Sequence, residues 1–95
     1  MQMRWLRDNE TGKVLQDFEW KAIAPDRPLS ALEEVCMMDG HWFNLNKDLI
    51  PFMDPDLAAE LQDALGNASD QKFLDWYRSQ HRQRFGKEFR MPEGS

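Results

Sequence analysis

The side chains with the clearest chemical potential are Cys36, His41 and His81, the carboxylates Asp54, Asp56, Glu60 and Asp63, and the cations Arg78, Arg82, Arg84, Lys87 and Arg90. A thiol and two imidazoles suggest zinc or a Cys–His nucleophile. Their spacing supports neither, since none stands in a C-x-x-C or H-x-x-x-H pair and a structural zinc site needs about four ligands. Only the fold could assemble a catalytic pair, and Cys36, on the apolar side of its segment, reads as a small core residue. The carboxylates invite a divalent cation. However, Asp54 and Asp56 suit a helix start, Glu60 and Asp63 suit its solvated side, and the calcium-loop pattern with its central glycine and terminal glutamate is not found. No nucleophile elbow, phosphate-binding loop, dinucleotide fingerprint or H-E-x-x-H occurs either. These residues specify no enzyme, metal or cofactor.

The charges have a second possible use, in recognition. The net charge is −5 and its distribution is uneven. Residues 1–25 hold four acids and four bases, residues 26–77 eleven acids and three bases, and residues 78–95 two acids and five bases. An acidic middle repels nucleic acid and attracts a basic protein surface, whereas the basic end does the reverse.

The elements that must position these groups follow from pattern. QMRWLRD and VLQDFEWKAI, at 2–8 and 14–23, alternate around the turn Asn9-Glu10-Thr11-Gly12 and predict a β-hairpin, with Met3, Trp5, Val14, Phe18, Trp20 and Ala22 on its inner face. Pro25-Asp26-Arg27-Pro28 is a loop. Ser30 and Glu33 make an S-x-x-E capping box ahead of Leu32, Val35, Cys36 and Met38, which predicts a short helix stopped by Gly40, with Glu33, Glu34 and Asp39 outside. His41–Leu45 predicts a third strand, and Leu49–Met53 an apolar connector sealing one end of the core. Asp54-Pro55 opens a helix that runs through Leu57, Leu61 and Leu65 to Gly66. Ser69 caps a last helix through Phe73, Leu74, Trp76 and Tyr77 to Gly86. The order is ββαβαα: a single α+β domain over 1–90, with a small antiparallel hairpin or three-stranded sheet on three helices, an antiparallel helix pair at the end, and a flexible tail over 91–95.

One cysteine forms no intramolecular disulfide, the N-terminus lacks the pattern of a secretory signal, and no apolar run approaches the roughly 20 residues that cross a bilayer. A cytoplasmic, membrane-free location is the expectation. In size and charge the chain resembles small acidic proteins of mobile elements, among them nuclease inhibitors, anti-restriction and anti-CRISPR proteins, and toxin-immunity proteins; the likeness is one of composition, and no motif carries it.

The reading that follows is a non-enzymatic interaction module that meets a basic protein through Glu33, Glu34, Asp56, Glu60 and Asp63. A nucleic-acid reading rests instead on Arg78, Arg82, Arg84 and Lys87. A homodimer that covers an aromatic sheet face is the third. Arg84 separates the first two. It continues the apolar line of the last helix, so an internal acidic partner for Arg84 reduces the basic patch to an ordinary helix end.

Overall fold

The computed structural model describes residues 4–91, apart from the Leu29 side chain. It shows an α+β fold with a four-stranded antiparallel sheet in the order β2-β1-β3-β4. The strands are β1 (Trp5–Asp8), β2 (Val14–Gln16), β3 (Leu32–Met38) and β4 (His41–Phe43); the helices are α1 (Asp17–Ile23), α2 (Pro55–Leu65) and α3 (Asp70–Phe85). The inward orientation expected of Met3 and residues 92–95 of the tail expected at 91–95 lie outside the described residues, while Met91 packs partly buried against the core.

The first hairpin forms where expected. Gly12, at φ +76°, supplies the positive torsion of the turn, and the Asp8 N–H donates to the Lys13 carbonyl at 3.0 Å. Its second strand is shorter than the alternation predicts, because Asp17–Ile23 is a helix. An aromatic at every second position fits either period over so few residues. Tertiary contact decides: only Trp20 of this segment is buried, and its indole N–H donates to the Leu6 carbonyl at 2.8 Å, while Phe18 is left 61% exposed.

The larger correction concerns the helix predicted after Ser30. Residues Leu32–Met38 are instead the inner strand β3, paired on one side with β1 and on the other with β4, and Ser30 falls within a 3-10 turn, Leu29–Ala31. Two features explain it. Arg7 lies opposite Glu33 in the register and binds it at 3.1 Å, and Arg4 binds Glu34 at 3.3 Å, so the carboxylates are matched across strands. Asp39 and Gly40, at φ +52° and +84°, then form the two-residue turn that joins β3 to β4. The observed order is therefore ββαββαα; a helix at Asp17–Ile23 replaces the one predicted later in the chain.

Register places Glu34, Cys36, Leu6 and Phe43 on one face of the sheet and Glu33, Val35, Arg7, Trp5 and Trp42 on the other. Cys36 and Met38 enter the main core with Leu57, Leu61, Phe73, Leu74, Tyr77 and Phe89, so α2 and α3 cover the first face. On the second, Trp5 and Trp42 lie 5.4 Å apart and accompany a fully buried Val35. The expected connector at 49–53 closes the core with Leu49 and Met53 buried. Both later helices start and stop as predicted. The Asp54 carboxylate accepts from the Leu57 N–H at 3.0 Å, Ser69 Oγ accepts from the Lys72 N–H at 3.3 Å, and Gly86 ends α3 at φ +72°.

Candidate protein-interaction surface

The five carboxylates singled out in the sequence do not form one array. Because β3 is a strand, Glu33 and Glu34 project from opposite faces of the sheet. Both serve internal contacts. Glu33 binds Arg7 and accepts from Asn44 Nδ2 at 2.6 Å; burial opposes ionisation here, but these hydrogen bonds outweigh it and hold the carboxyl below its usual range. Glu34 accepts from the Asp70 N–H at 2.8 Å, tying the start of α3 to the sheet.

That second contact sets two acids side by side. Burial, then the charge of Glu34, pushes the Asp70 carboxyl up to about 6, against the opposing pull of Arg4. Next to them Cys36 is fully buried; burial, then the charges of Asp70 and Glu34, pushes its thiol up to about 12. Such a thiol carries almost no thiolate at neutral pH, and Cys36 packs as a member of the core.

The remaining three acids share the outer side of α2, where Asp56, Glu60 and Asp63 follow at intervals of four and three. Glu60 is engaged by Arg84, whose Nη2 donates to both carboxylate oxygens at 2.8 Å. Asp56 and Asp63 are exposed and have no ionic or hydrogen-bonded side-chain partner among the described residues.

The arginines are paired, while Lys13, Lys47, Lys72 and Lys87 are exposed and have no carboxylate partner among the described residues. Arg78 contacts Asp39 at 3.3 Å and Glu88 at 3.8 Å, Arg82 contacts Glu88 at 2.9 Å, and Arg90 reaches the same carboxylate at 3.8 Å. Arg27 pairs with the buried Asp8 at 2.9 Å. With Arg4, Arg7 and Arg84, every arginine of the chain is thus held by a carboxylate of the chain. Lys87 is exposed, and its carbonyl accepts from His81 Nδ1 at 2.8 Å. A carbonyl only accepts, so that nitrogen carries the proton. His81 stacks among Tyr77, Phe85 and Phe89. Among the described residues, no group of three or more His, Cys, Asp and Glu is placed to hold a metal.

Sequence reading missed Gln71, whose side-chain amide donates to the Met37 carbonyl at 3.2 Å and accepts from the Met37 N–H at 2.7 Å. It completes β3 as a neighbouring strand would, and fixes α3 against the sheet. Nothing in its local pattern distinguishes it from a solvated glutamine.

A family model described as anti-CRISPR protein AcrIC5 matches residues 36–89, more than half of the chain. The chain belongs to the AcrIC5 anti-CRISPR family. The AcrIC5 match runs from the middle of β3 through α2 and α3 to Phe89, and so includes the acidic side of α2 and its junction with Arg84; β1, β2 and α1 precede it. No curated protein and no solved structure matches the chain. Membership of this family makes the chain a small inhibitor of a CRISPR–Cas system. No helix among the described residues is long and apolar enough to cross a membrane.

Proposed function

We propose that the protein is a non-enzymatic inhibitor that acts by binding, and that it docks the outer side of α2 on a basic surface of a CRISPR–Cas protein, one that otherwise receives nucleic acid. The observation that carries this reading is the grouping of acids on α2: the helix holds Asp56, Glu60 and Asp63 and no basic residue, and Asp56 and Asp63 are exposed without a partner among the described residues, whereas the unpaired cations Lys13, Lys47, Lys72 and Lys87 are scattered over other segments. With three acids and no base, α2 presents a locally negative side on a regular helix, in a chain whose net charge is −5. The family match spans α2 and supports a protein partner. The internal pairing of Arg78, Arg82 and Arg84 turns the former basic patch into a set of structural ties and weakens the nucleic-acid reading.

Inhibition is tested by expressing the chain in cells that carry CRISPR–Cas systems of different types and scoring loss of interference against a targeted plasmid. One system is expected to be blocked, and Asp56→Lys with Asp63→Lys restores its interference. Full inhibition by the doubly reversed variant, produced at wild-type level, contradicts the assignment of α2.

A further inference from the structure

Charge alone gives a surface little choice among basic partners, and the α2 acids are flanked by a group of another kind. On α3, Trp76, Gln80 and Arg84 follow at four-residue intervals and share a line. Arg84 ends that line on Glu60 of α2, which shows that it borders α2 and not the sheet. The sheet side is marked by other residues, Gln71 on Met37 and Arg78 on Asp39. Trp76 thus lies on the α2 side of α3, about two turns before the Arg84–Glu60 contact. It is 43% exposed, although it stands one position from the fully buried Tyr77. The exposed indole presents aromatic surface on the α2 side of α3, and α2 carries Asp56 and Asp63 without partners.

The occupant that matches both features is a protein surface rich in arginine. Carboxylates pair with guanidinium groups in a fork, and an indole face accepts the same group by cation–π stacking. Tryptophan is also among the residues most often found to dominate an interface, where it slows dissociation, while exposed charges chiefly speed encounter. We infer that Trp76 is the anchor of the α2–α3 surface, seated against an arginine of the CRISPR–Cas partner, and that the α2 acids steer the approach. This rests on the proposed binding role of α2 and adds the residue that holds the complex together.

The test uses the full chain and the guide-loaded effector complex from the system it blocks, with association and dissociation followed by biolayer interferometry. Trp76→Ala raises the dissociation rate about tenfold and leaves the association rate and its salt dependence nearly unchanged; Asp63→Lys lowers the association rate and flattens its salt dependence. Trp76→Phe, which keeps an aromatic side chain at this position, controls for folding and shows an intermediate dissociation rate. Hydroxyl-radical footprinting of the wild-type chain reads the same contact without substitution: Trp76 is protected in the complex and the exposed Phe18 is not. Unchanged dissociation for Trp76→Ala together with an unprotected Trp76 overturns the anchor while leaving the acidic surface intact. If the wild-type chain does not bind the effector at all, the docking role itself falls.

Discussion

Single residues show how much of the surface chemistry is committed to the fold. Asp70 bears the clearest cost. Its carboxyl titrates at about 6 in place of the ordinary 3.8, so the folded state holds a proton that the unfolded chain has released over that interval, and stability falls as pH rises through it. Asp70→Asn removes the penalty. Discounted for partial exposure, the gain is about 1 kcal/mol at pH 7.5, or roughly 4–8 °C in melting temperature. Thermal melts should show the gain shrinking as pH falls below 6 and vanishing near 4; a gain independent of pH would contradict the titration. Cys36 gives a second check. With its thiol fully buried and pushed up to about 12, a disulfide-exchange reagent at pH 8 leaves the native protein unlabelled and reacts only after denaturation.

Among elements, β3 shows where sequence was readable and where it was not. The ends of α2 and α3 were legible because Asp54, Pro55, Ser69 and Gly86 act locally, through hydrogen bonds and torsions a few residues long. β3 was not, because the S-x-x-E pattern is equally local while the competing forces come from afar: Arg4 just before β1, Arg7 within it, and Gln71 of α3. One local signal did favour the strand. Asp39-Gly40 between apolar runs is a hairpin turn before it is a helix stop, and both residues take the positive φ such a turn requires. Gly40→Ala is expected to cost about 1 kcal/mol through torsion alone, since no atom lies within 4 Å of the position its Cβ would take. Gln71→Ala, which leaves Met37 without its side-chain partner, is expected to lower stability by a similar amount, about 1 kcal/mol. Both are measured by urea denaturation. The candidate surface was half legible for the same reason: the α2 acids lie on a helix that its own sequence defines, whereas the diversion of Glu33 and Glu34 into the sheet depends on β1.

For the molecule as a whole, the segregation of charge along the chain becomes a pairing of its arginines and a grouping of exposed acids on α2. The arginines of the C-terminal segment pair with Asp39, Glu60 and Glu88, and Asp56 and Asp63 are left without partners on the outer side of α2. This arrangement suits an inhibitor that competes for a nucleic-acid surface, because long-range attraction acts before contact and is damped by salt. The decisive measurement is the affinity of the chain for the purified effector complex that it blocks, followed from low to high ionic strength for the wild type and for Asp56→Lys with Asp63→Lys. The wild type should bind tightly at low salt and weaken steeply as salt rises, and the reversed variant should bind at least about tenfold more weakly at low salt with little salt dependence. Equal affinity and equal salt dependence for the two proteins would contradict docking through α2.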